Sequence, residues 1–158
     1  MARDHFIKPT VPEQVALTVR LGAGSAANER LSYTEVGKFA KLAGESRYDL
    51  AAVGNDIEGD IFSVELALQN GYTIGSVIKR DMYNVTFDGL QATPGTGVAA
   101  IGNVVVVGTV VAKDTALTAN PKVCVATTPA NVVHKYRVVS LGSAGTGAVG
   151  TEGVIQRI

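Results

Sequence analysis

Short runs of β-branched residues, cut at close intervals by glycine and proline, leave this chain few folds to choose from. Of its 158 residues 23 are valine and 18 are glycine, while leucine and methionine are sparse. Valine is stiff at its first side-chain torsion, which lowers its helix preference and suits it to the pleat of a strand. Glycine between such runs marks tight turns. The pattern therefore predicts many short strands and argues against a helical bundle. At 46% hydrophobic and 18% charged residues, the chain is too apolar to be disordered by composition. Its length fits a single folding unit.

Charge narrows the partners. Lys plus Arg and Asp plus Glu are 14 each, for a formal net charge of zero. Nucleic-acid binding calls for a basic field, and a membrane surface for a polybasic patch. The balance supports neither as a direct partner. Residues 1–88 hold 21 of the 28 charges, which predicts that the second half is core or contact surface. Cys124, the only cysteine, lies in the strand-like Val123-Cys124-Val125 and reads as an inert buried thiol. The first residues lack the apolar core of a signal peptide, and the expectation is synthesis in a cytoplasm.

Along the chain, residues 1–31 read as an N-terminal arm and 32–158 as a β domain. The arm holds Pro9 and Pro12, a strand candidate at 14–20 and a flexible stretch at 22–28. Val36 to Leu42 reads as a strand whose alternation fails near Phe39. A very short helix capped by Ser32, with Glu35 three residues on, competes there. Val53-Gly54-Asn55-Asp56, Asn70-Gly71 and Asp88-Gly89 read as turns. Tyr83, Val85 and Phe87 alternate and are expected to share a buried face. Further strands are expected at 57–65, 74–78, 103–111, 123–126, 132–139 and 153–158. The run Val104 to Val107 reads as a strand buried on both sides or seated at a subunit contact.

The polar residues offer little chemistry. Asp56, Glu58 and Asp60 stand at alternate positions, where one strand face could turn three carboxylates toward a divalent ion. Their spacing is not that of a calcium loop, and a solvated strand or turn accounts for them. His5 and His134 stand apart, with no zinc-type motif. Ser76 lacks the surroundings of an elbow nucleophile. Gly142 to Gly147 lacks the Lys-Ser/Thr ending of a phosphate loop and reads as a connection. The residues assign no catalytic group, metal or cofactor, and the chain is read as a non-enzyme.

Three stretches carry a resemblance: Val36-Gly37-Lys38-Phe39-Ala40-Lys41-Leu42, then Asn55 to Glu65 with its Ile61-Phe62-Ser63-Val64-Glu65 ending, then Gly71-Tyr72-Thr73-Ile74-Gly75-Ser76-Val77. With the ending Gly150-Thr151-Glu152-Gly153-Val154-Ile155, they resemble the capsid decoration, or cement, proteins of tailed bacteriophages. The likeness is strongest over residues 30–90. It implies an all-β fold, a small β-barrel or jelly-roll-like sandwich with an extended N-terminal arm. It further implies a homodimer or homotrimer bound to the major capsid protein on the outer surface of the virion, stabilising the expanded head. It implies no catalytic residue. The long arm departs from the compact members of that family. The contact candidates are Arg3, His5, Phe6, Ile7, Lys8, Val15, Leu17 and Val19 in the arm, with Val104, Val105, Val106 and Val107. A head fibre or tail component would use the same strand-and-turn pattern. A carbohydrate-binding module would need an exposed aromatic platform, against which the absence of tryptophan counts.

Overall fold

The computed structural model describes residues 15–24, 26–66 and 73–158. Among them the chain is all-β, with 13 strands and two 3₁₀ turns, at Tyr33–Glu35 and Pro129–Asn131. The strands are β1 (Val15–Leu21), β2 (Phe39–Gly44), β3 (Arg47–Leu50), β4 (Gly59–Leu66), β5 (Thr73–Lys79), β6 (Met82–Leu90), β7 (Thr93–Pro94), β8 (Val98–Ala99), β9 (Val104–Val107), β10 (Lys122–Val125), β11 (Tyr136–Ser140), β12 (Gly147–Ala148) and β13 (Glu152–Arg157).

Pairing divides the strands at residue 80. In the first half it passes from β1 through β3, β2 and β4 to β5, and β5 pairs back onto β1. In the second half it passes from β10 through β9, β11 and β13 to β6, and β6 pairs in parallel with β10. Each half is thus a ring of five paired strands. The first ring has two narrow links. β1 meets β3 only at Arg20↔Arg47 and Leu21↔Tyr48, and β2 meets β4 at Phe39↔Asp60 and Ala40↔Gly59. Backbone bonds from Gly37 N to Ile61 O (2.7 Å) and from Ile61 N to Lys38 O (3.0 Å) extend the second link.

Two apolar clusters follow this division. The larger holds Tyr83, Val85, Phe87, Val105, Val107, Val123, Tyr136, Val138 and Ile155 from the second ring, together with Phe39, Ala51 and Ile57 from the first half. Burying each such large side chain contributes about 1.5–3 kcal/mol. Phe39 meets the edge of Tyr83 with centroids 5.3 Å apart, so the two halves share this core. The smaller cluster, inside the first ring, is Val19, Leu21, Leu31, Ala40, Ile61 and Val77.

Several expectations hold. Tyr83, Val85 and Phe87 are buried together, because alternate residues of β6 point to one face. The turn at Val53-Gly54-Asn55 is present. Others need correction. Residues 15–21 are not an appendage: β1 pairs along its whole length with β5, and Leu31 is buried in the first core. Asp88-Gly89 is not the turn, since β6 runs on to Leu90. Gly89 has φ +82° and lies where a Cβ would overlap the Thr96 carbonyl, so only glycine lets the strand pass there. The expected strand at 103–111 stops at Val107, and residues 108–121 cross both rings as a loop. Asn70-Gly71 lies outside the described residues.

Candidate functional site

The 108–121 loop is fastened at its base and at its middle. At the base, Asp88 accepts the N–H and the hydroxyl of Thr109 at 2.7 and 2.6 Å on one carboxylate oxygen. Gly108 N donates to Lys122 O at 2.8 Å. At the middle the loop is held by charges from the first ring. Lys38 and Glu35 are 1% and 0% exposed and form an ion pair at 2.5 Å. Lys38 Nζ also donates to Ala112 O at 2.8 Å, and Asp114 N donates to Glu35 Oε1 at 2.5 Å.

Local geometry turns both side chains inward. The 3₁₀ turn Tyr33–Glu35 ends where Val36 N meets Tyr33 O, and Gly37 follows with φ +87°. Gly37 and Lys38 together stand opposite Ile61, a one-residue bulge that swings Lys38 off the outer face. The broken alternation near Phe39 is the trace of this bulge in the sequence. The competing short helix amounts to one 3₁₀ turn, and Ser32 makes no side-chain cap.

Cavities flank this fastening. One, of about 100 Å³, lies under the loop among Lys38, Phe39, Val107, Val110, Leu117 and Pro121. A wider one, of about 310 Å³, opens beside Arg30, Leu31, Tyr33, Val64, Thr73 and Asp114. Thr73 Oγ1 is buried there with no hydrogen-bond partner among the described residues. At its rim Tyr33 is 79% exposed, and Val36 and Phe62 are exposed beside the 3₁₀ turn and on β4. Gly37 N bonded to Ile61 O brings Val36 close to Phe62. The Arg80 guanidinium lies 6.0 Å from the Phe62 ring centre.

A second polar region joins the rings. Asp60 receives Arg80 through two nitrogens, at 2.9 and 3.1 Å, and the Tyr83 hydroxyl at 3.0 Å. The hydrogen bond to Asp60 raises the Arg80 pKa, and burial pushes the Tyr83 phenol up. Tyr136, raised by burial to about 12, donates to Arg80 O at 2.5 Å. Nearby, Asp56 accepts the backbone N–H groups of Val133 and His134 at 2.8 and 3.0 Å. Lys79 Nζ lies 2.8 Å from His134 Nδ1.

The three alternating carboxylates therefore do not converge. Asp56 caps the 132–134 segment, Glu58 accepts the Leu42 N–H at 2.7 Å, and Asp60 binds Arg80. No three His, Cys, Asp or Glu groups among the described residues could hold a metal ion. Cys124 is buried, its thiol pushed up to about 11 by burial, and it donates weakly to Val107 O.

Of the contact candidates, Arg3, His5, Phe6, Ile7 and Lys8 lie outside the described residues. Val15 and Leu17 are placed by their backbone, opposite Lys79 and Val77. Val19 belongs to the first core. Val105 and Val107 pack in the larger core, and Val106 packs with Cys124, Ala126 and Val132 on the other face of the sheet. These three are buried within one copy, and a partner would have to open the core to reach them. Val104 is half-buried. Sequence pattern marks Glu35 only as a helix-start residue and Lys38 only by the failed alternation, and neither signal points to a buried ion pair. No family model matches the chain, and neither does any curated protein or solved structure.

Proposed function

We propose that this chain is a structural binding protein of a tailed-phage head, seated on the outer surface of the major capsid protein lattice. In this reading each ring of strands is a small barrel, and the pair forms a compact block that bridges neighbouring capsid subunits. The observation that carries a binding role is the apolar surface at Tyr33, Val36 and Phe62, exposed by 79%, 42% and 54%. Exposed aromatic and aliphatic side chains favour burial against a partner. A chain without net charge meets no long-range repulsion from further copies on a lattice. The internal use of Glu35, Lys38, Asp60 and Arg80 is consistent with a part that resists deformation. Repetition of one modest contact over many lattice sites would supply avidity. A dimer or trimer of the chain fits this role, and the capsid identity itself rests on the resemblance over residues 30–90.

The test is to purify particles from an infection that produces this chain and locate it by cryo-microscopy. Density on the outer shell, with Tyr33 and Phe62 toward the capsid protein, is expected. Density confined to a tail or a head fibre would move the chain to another virion part. Its absence from purified particles would end the proposal. Particles assembled with Phe62→Ser should lose occupancy of the chain while the free protein stays folded.

A further inference from the structure

The Lys79–His134 contact sets one amine apart from the lysines that form ion pairs among the described residues. Lys38, Lys113 and Lys122 each face a carboxylate, at 2.5, 2.8 and 3.8 Å. Lys79 instead faces an imidazole nitrogen at 2.8 Å. An ammonium has only donors, so Nδ1 must be the acceptor and the neutral ring must carry its proton on Nε2. The backbone that carries the imidazole is held independently, because Asp56 accepts the His134 N–H at 3.0 Å. Lys79 is half-buried at the end of β5, so its amine is neither sealed like Lys38 nor fully solvated. The charged groups around it are Arg157, Glu58 and Asp56. Burial and then Arg157 lower its pKa, against a smaller opposite pull from Glu58 and Asp56.

We propose that Lys79 is an acylation site, the lysine among the described residues that small donors of the acyl phosphate class modify first. A desolvated lysine beside a base is the usual form of an activated amine nucleophile. The ammonium first loses one proton to solvent. The free Nζ lone pair attacks the carbonyl carbon of the acyl phosphate, and the remaining excess proton on nitrogen passes to His134 Nδ1. The tetrahedral intermediate collapses with expulsion of phosphate, and His134 returns its proton to water. One C–N bond forms, one C–O bond breaks, and no redox change occurs. The product is a neutral amide at the seam between the two rings, so modification removes a cation from the surroundings of Arg157, Glu58 and Asp56. This inference is independent of where the chain binds.

The experiment uses the full chain and acetyl phosphate at pH 7.5, with acetylation at each lysine followed in time by peptide mass spectrometry. In the folded protein Lys79 should be acetylated several-fold faster than Lys41 and Lys135, and Lys38 should stay unmodified. In urea the preference should vanish. His134→Gln retains an acceptor but no ring to take the proton, and it should bring Lys79 down to the rate of Lys41. A folded-state rate for Lys79 at or below those of Lys41 and Lys135 would overturn the proposal. So would a preference that survives in urea, since it would then come from local sequence. An unchanged Lys79 rate in a folded His134→Gln protein would remove His134 from the step and overturn the mechanism. If that variant does not fold, the native-against-urea comparison decides alone.

Discussion

The two rings are built from the same kind of strand but are held by different forces. The second ring surrounds a core of valine, isoleucine and aromatic residues and borrows Phe39, Ala51 and Ile57 from the first half to complete it. Among the described residues the first ring's apolar cluster holds six buried members, and two of the ring's links are two residues wide. It compensates with polar fastenings: Glu35 with Lys38, Asp60 with Arg80, and Glu58 on the Leu42 N–H. The difference teaches where each half is fragile. Dispersion and desolvation are spread over many atoms, so an apolar core loses stability in steps. A buried ion pair concentrates its effect in two groups, and losing one strands the other.

The largest expected effect breaks this comparison at its weakest point. Glu35→Ala leaves the Lys38 ammonium buried without its carboxylate and frees the Asp114 N–H. It should cost about 3–5 kcal/mol in urea unfolding. Replacing both partners, Glu35→Leu with Lys38→Met, should recover most of that loss. If the single variant is as stable as the parent, the charged fastening does not hold the first ring.

A steric change probes the second ring. A Cβ on Gly153 would lie 2.4 Å from Ser140 O and 2.5 Å from the Phe87 ring. Gly153→Ala should therefore cost about 1–3 kcal/mol as strand β13 is pushed off its neighbour. An unchanged Tm would show that this core yields more than its packing implies.

Alkali should also find the second ring first. Burial raises the Cys124 thiol from 9.0 to about 11, and Asp88 adds to the shift. The folded state thus favours the neutral thiol, and the unfolded chain ionises first. The contribution is complete below about pH 9 and is lost as pH climbs to about 11, on the order of 2 kcal/mol across that window. Cys124→Ala should flatten the fall of stability over those two pH units. Equal slopes in parent and variant would remove the thiol from the account. Tyr136, raised to about 12, extends the same trend at higher pH.

The smallest effect belongs to the exposed surface of the first ring. Phe62→Ser removes a ring that is 54% exposed and should change stability by no more than about 0.5 kcal/mol. A larger loss, measured by thermal unfolding, would mean that Phe62 and its Arg80 neighbour hold the ring and are not a surface awaiting a partner.

Much of this architecture is legible in local pattern. The alternation of Tyr83, Val85 and Phe87, the turn at Val53-Gly54-Asn55 and the strand expected at 123–126, observed at Lys122–Val125, all depend on neighbours within a few residues. The polar roles were not legible for the same reason inverted. Asp56, Glu58 and Asp60 look like one face of a strand, yet only Asp60 lies in β4, and each finds a different distant partner. Lys79 meets His134 across 55 residues, and Lys38 meets Ala112 across 74. Val104 to Val107 could be recognised as a buried strand, but not as one in which Val105 to Val107 are buried within a single copy.

What the sequence determined by itself is the all-β character of this protein, because valine stiffness and glycine turns act over a few residues wherever the chain goes. What only the tertiary structure decided is which charges lie inside. Burying a lysine or a carboxylate is tolerable only where a partner waits. Glu35 and Lys38 are only three residues apart, but what seals them is the 108–121 loop, and Asp60 finds Arg80 twenty residues on, which no local pattern specifies.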